Sequence, residues 1–102
     1  MTDKRFREDA EFYERRAEIK ISKGENSGSI AVTFARAGQT WEQAGNLPKA
    51  LNCYRRADFH AAGSSLPDRI YRDKLNSLRA QLGMAPEDPE VNARTPISGW
   101  AA

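Results

Sequence analysis

The side chains able to do chemistry are few in this chain of 102 residues. His60 is its only histidine and Cys53 its only thiol. They stand seven residues apart on what reads as one helix. Two turns and about 10 Å therefore separate them, too far for a thiol–imidazole pair. A lone cysteine of this kind reads as a small buried hydrophobe. Zinc asks for three or four ligands, and one Cys with one His falls short. No metal or other cofactor is expected. Glu8, Asp9 and Glu11 sit among as many bases, the pattern of a solvated helix face. The stretch "KGENSGS" lacks the lysine–serine ending of a phosphate loop and follows no strand. The residue inventory points away from an enzyme.

The remaining chemistry is charge. Residues 1–30 balance seven bases against seven acids, whereas residues 31–82 carry eight bases against four acids. Residues 83–102 reverse the sign, with Arg94 against Glu87, Asp88 and Glu90. Arg55, Arg56, Arg69, Arg72 and Arg79 give the middle its basic character. Solvation is the ordinary state of such arginines. Otherwise they suit an acidic protein partner, or a nucleic acid, although no exposed aromatics interleave with them. The break "AAGSSLPD" is longer than the turn of a helix-turn-helix motif.

Four helices account for the positions of these residues. The first is expected over residues 3–22, where Phe6, Ala10, Tyr13, Ala17 and Ile21 step by three or four along one face. Acid-before-base pairs four apart, Asp3 with Arg7 and Glu11 with Arg15, support it weakly. "SKGENSGS" breaks the chain, and a second helix runs from Ser29 as N-cap to Ala44. Gly45 closes that helix, Asn46 caps the next, and Pro48 sits in its first turn, where no N–H is needed. The third helix turns Leu47, Ala50, Leu51, Tyr54, Ala57 and Ala61 inward. A fourth is expected from Pro67 to Leu82, with a stripe of Tyr71, Leu75, Leu78 and Leu82 and with Arg69, Arg72, Asn76 and Arg79 on its far side.

Length and composition fit one small domain, residues 1–83, followed by a flexible tail, residues 84–102, punctuated by Pro86, Pro89 and Pro96. No apolar run approaches the roughly 18 residues of a membrane helix. The start is too charged for the apolar segment of a signal peptide, so a cytoplasmic location and no membrane partner are expected. The tail ends "ISGWAA". Trp100 either docks back on the domain or serves as a motif for a partner, and the Ala-Ala end resembles a bacterial degradation tag.

The stretch "FARAGQTWEQAGNLPKALNCYRRA" mixes small residues with large aromatics. Two antiparallel helices joined by a short turn approach closely only where side chains are small. Gly38, Ala50 and Ala57 supply such places, and Phe34, Trp41 and Tyr54 fill the wider gaps. Gly38 costs about 1 kcal/mol of helix propensity, which calls for a packing reason.

Residues 31–64 thereby resemble one tetratricopeptide repeat. Phe34, Gly38, Trp41, Gly45, Leu47, Ala50, Tyr54 and Ala57 sit at the matching spacing, with Ala37 in place of the usual leucine and Ala62 in place of proline. The resemblance implies a helical hairpin, residues 29–62, flanked by the other helices. It also implies an inner face that binds extended peptides, here Val32, Ala35, Gln39, Glu42 and Gln43, with a homodimer as one way to deepen it. The run "WEQAGNLPKALNCYRRADFHAA" is similar, more narrowly, to the small ANR and PerC-type bacterial regulators. Glu42, Gly45, Ala50, Tyr54, Ala57 and Arg72 or Arg79 carry that likeness. It implies a modulator of virulence or mobile-element genes that acts by binding a nucleoid protein or transcription factor.

The expectation is thus an all-α fold of three or four helices built around one hairpin. The function expected is a non-enzymatic protein–protein interaction module. Direct nucleic-acid binding through the arginine face is the first alternative, and an adaptor or chaperone in a bacterial or phage assembly is the second.

Overall fold

A computed structural model describes residues 2–67 and 69–84, and its described residues form an all-α fold of four helices: α1 (Thr2–Ser22), α2 (Ser27–Gln43), α3 (Leu47–Ala62) and α4 (Arg72–Gln81). The tail from residue 85 onward, with Trp100, lies outside the described residues. The central helix α2 packs against both α1 and α3, and α4 packs against α3.

The hairpin forms where its punctuation demands. Gly45 adopts φ +82, the left-handed backbone that ends α2 without a Cβ penalty. The Asn46 side chain then accepts the Lys49 N–H at 3.1 Å, and Pro48 occupies the first turn of α3. The expected contacts follow. Trp41, Phe34 and Tyr54 are buried, as are Ala50 and Ala57. A Cβ placed on Gly38 would stand 2.8 Å from Cε2 of Tyr54, so the ring of α3 occupies the space that any side chain at Gly38 would need.

Two helix starts and one expected inward residue differ from the sequence expectation. Asn26, not Ser29, caps α2: its extended backbone lets its side chain accept the Ser29 N–H at 2.9 Å, and α2 accordingly begins at Ser27. Ser29 instead accepts a hydrogen bond from Lys20 Nζ at 2.7 Å. The fourth helix begins at Arg72 rather than Pro67. Arg69 takes φ +62, and a residue in the left-handed region cannot sit inside a right-handed helix. On α1, Ala10 and Ala17 are fully buried but Ile21 is exposed. The inner cluster there, Ile30, Phe34 and Ala57, closes over Ala17 and leaves Ile21 beyond its edge.

Polar ties also hold the layers together, two of them well shielded from water. Glu14 of α1 accepts hydrogen bonds from Nε1 of Trp41 and from Sγ of Cys53, the latter at 3.3 Å, so one carboxylate joins three helices. Arg72 donates Nε and Nη2 to Oδ2 of Asp58, at 3.1 and 2.6 Å, and anchors α4 to α3. Because both partners are mostly shielded from water, this pair is held more firmly than an exposed one.

Candidate protein-interaction site

The thiol and imidazole singled out by type both pack against neighbours within the fold. Cys53 is buried, and burial first, then the adjacent Glu14 carboxylate, pushes its pKa far up. The protonated thiol is a poor nucleophile. In the native protein Cys53 should react with an alkylating reagent about a hundredfold or more slowly than in urea-unfolded chain, because reaction requires opening of the core. Comparable rates in the two states would contradict the burial. His60 stacks on Phe34 with ring centroids 5.7 Å apart and meets Phe59 edge-on. Burial, then Arg56, holds its pKa below the usual histidine value. Among the described residues, no group of three His, Cys, Asp or Glu side chains is placed to hold a metal.

The expected arginine face does not form as one stripe. Arg69 precedes α4 instead of lying on it, and Arg72 is committed to Asp58. Arg56 pairs with Glu18 at 2.9 Å and lies over the Phe34 ring at 4.3 Å. Arg79 is half-buried on α4, and Arg55 is exposed on α3. These five residues are spread over α3, α4 and the turn between them.

The structure places part of the expected inner face of α2 along one groove. Val32, Ala35 and Gln39 line a groove of about 500 Å³, shared with Arg36 of α2, Tyr54, Tyr71 and Lys74. Steps of four, three and four place exposed Val32, Arg36, Gln39 and Gln43 along one line of α2. Glu42 departs from the expectation. One of its oxygens accepts the Tyr54 hydroxyl at 3.2 Å and the other pairs with Lys74 at 2.8 Å. Burial first, and then this carboxylate, keep the Tyr54 phenol protonated. Glu42 therefore ties α2 to α3 and α4 instead of facing a partner.

A second and larger cleft, of about 670 Å³, opens on the other side of the same α2 line. Phe12, Tyr13, Arg16 and Lys20 of α1 form one wall, and Val32, Thr33 and Arg36 of α2 form the other. Val32 and Arg36 belong to both grooves, so the two meet along that ridge. The expectation had assigned no role to Phe12, Arg16, Lys20 or Arg36. Among the described residues no helix is long and apolar enough to cross a membrane. Compared with known proteins, the chain matches no family model, no curated protein and no solved structure.

Proposed function

We propose that this chain is a non-enzymatic interaction module that binds another protein along the exposed line of α2. The observation that carries this reading is the meeting of two open grooves on one helix, with Val32 exposed at their shared ridge. Apolar side chains at the edges of concave surfaces are what partner chains bury. The resemblance to tetratricopeptide hairpins gives an extended peptide as the bound form. The narrower likeness to ANR and PerC-type regulators suggests a cytoplasmic bacterial regulator whose partner is a nucleoid protein or transcription factor. Direct nucleic-acid binding through the arginines is less favoured, since Arg72 and Arg56 already engage Asp58 and Glu18.

The test uses purified full chain as bait in a bacterial lysate, beside a Gln39→Trp variant. Gln39 is exposed, so the indole fills the α2–α4 groove without disturbing the core. Wild type should retain a specific protein at moderate salt, and the variant should lose at least about nine-tenths of it, a change of about 1.4 kcal/mol. Retardation of duplex DNA by the purified chain alone at physiological salt would overturn the proposal.

A further inference from the structure

Helix α1 is inverted with respect to residue size. It buries Ala10 and Ala17 completely, while Phe12 and Ile19 remain 49% and 51% exposed. Small residues face α2 because Phe34 and Trp41 already fill that space, so Phe12, Ile19 and Ile21 of α1 end on the outside. Phe12 and Ile19 are seven residues apart and share one line of the helix. Phe12 lies in the α1–α2 cleft opposite Val32, itself 39% exposed.

The charges around these groups are as unusual. Arg16 and Lys20 of α1 and Arg36 of α2 line the cleft, and among the described residues no carboxylate lines it. Side chains three and four residues away are the natural partners on a helix. For Arg16 these are Phe12, Tyr13, Ile19 and Lys20, and for Arg36 they are Val32, Thr33, Gln39 and Thr40. Lys20 has Arg16, Ala17, Lys23 and Gly24, and among the described residues its ammonium bonds a neutral hydroxyl, that of Ser29. No acid stands at any of these positions. Elsewhere on α1 the pattern is opposite, with Glu11 four residues before Arg15. Glu25 shares a separate groove with Arg16, Lys20 and Lys23.

From this juxtaposition we infer that the α1–α2 cleft docks a short acidic segment of a partner protein, with one apolar side chain seated against Phe12 and Val32 and carboxylates meeting Arg16, Lys20 and Arg36. The inference rests on the reading of the chain as a protein-binding module and names the chemistry of its partner. From Phe12 to Lys20 the cleft runs about 12 Å along α1, room for about four extended residues or two helical turns. A two-fold contact of this cleft with the same cleft of a second copy does not fit, because the same three cations would then face each other. The apolar centre of the cleft favours a peptide over a bare phosphate backbone, which offers nothing to bury there.

The experiment is fluorescence anisotropy on the full chain with a labelled synthetic decapeptide of alternating leucine and paired glutamate. A copy with glutamine for every glutamate and a labelled single-stranded oligonucleotide serve as further probes. Variants Arg16→Glu, Arg36→Glu and Phe12→Ser probe the cleft, and each is checked for native circular dichroism. Lys4→Glu, exposed on α1 outside the cleft, changes net charge equally. The acidic peptide should bind, and the glutamine copy should bind about tenfold or more weakly. Arg16→Glu and Arg36→Glu should each weaken the acidic peptide about tenfold, Phe12→Ser about fivefold, and Lys4→Glu less than about twofold. Equal binding of the two peptides, or equal loss from Lys4→Glu, would overturn the acidic-segment inference. So would no peptide binding at all. In each of these cases the wider reading survives if the lysate partner is still retained and Gln39→Trp still releases it. Preference for the oligonucleotide would overturn both.

Discussion

Trp41→Ala is expected to remove about 3–5 kcal/mol of folding stability. The ring is 1% exposed and packs in the cluster of Ala10, Ala37, Ala50, Leu51, Cys53, Tyr54, Leu75 and Leu78. Residues of all four helices meet there, so the cavity left by truncation would weaken every interhelical contact together. A domain of this size holds on the order of 5–15 kcal/mol in total, and the substitution approaches the lower end of that range. Urea unfolding followed by circular dichroism should therefore show the midpoint fall sharply. Trp41→Phe separates packing from polarity. It keeps most of the volume but deprives the Glu14 carboxylate of the indole N–H, leaving the Cys53 thiol as its donor among the described residues. That change should cost about 1–3 kcal/mol. A loss from Trp41→Ala below about 1 kcal/mol would mean that the ring does not occupy the centre of the bundle.

The same residue shows how far sequence could be read. Trp41, Phe34, Tyr54 and Gly38 were legible because the reason for each is local: spacing on one helix, a short turn, and a neighbour reached within the hairpin. Gly45, Asn46 and Pro48 were legible for the same reason, each acting through its own backbone geometry. What escaped involves distant partners. Nothing near Glu14 in sequence says that it receives Trp41, which lies 27 residues away. Arg72 looked like a surface arginine because Asp58, which holds it, lies 14 residues earlier on another helix. Glu42 looked exposed on the inner face because α4, which brings Lys74 to it, could not be placed from periodicity alone. Arg69 carries no sequence mark of its left-handed backbone, so α4 was expected too long. The α1–α2 cleft did leave a signal, the absence of acids three or four residues from Arg16, Lys20 and Arg36. That signal acquires meaning only when α1 and α2 are known to lie side by side.

Gly38→Ala should destabilise the protein, even though alanine is the better helix former. Helix propensity alone would add about 1 kcal/mol of stability. Against it stands the Tyr54 ring, whose Cε2, Cδ2 and Cζ would lie 2.8, 2.9 and 3.2 Å from the new methyl carbon. Such a contact requires the ring to withdraw. Its hydroxyl is held by Glu42, and that carboxylate is held in turn by Lys74, so withdrawal disturbs the junction of α2, α3 and α4. Overpacking of this kind costs about 1–3 kcal/mol, which meets or exceeds the propensity gain. The sign becomes diagnostic in a Tyr54→Leu background, where the ring is gone and the loss of its hydrogen bond is common to both members of the pair. There Gly38→Ala should stabilise by up to about 1 kcal/mol. Urea midpoints of the four proteins give the coupling between the two positions, expected at about 1 kcal/mol or more. Stabilisation by Gly38→Ala in the wild-type background would show that the helices do not meet at this glycine, and the hairpin would need another account of its close approach.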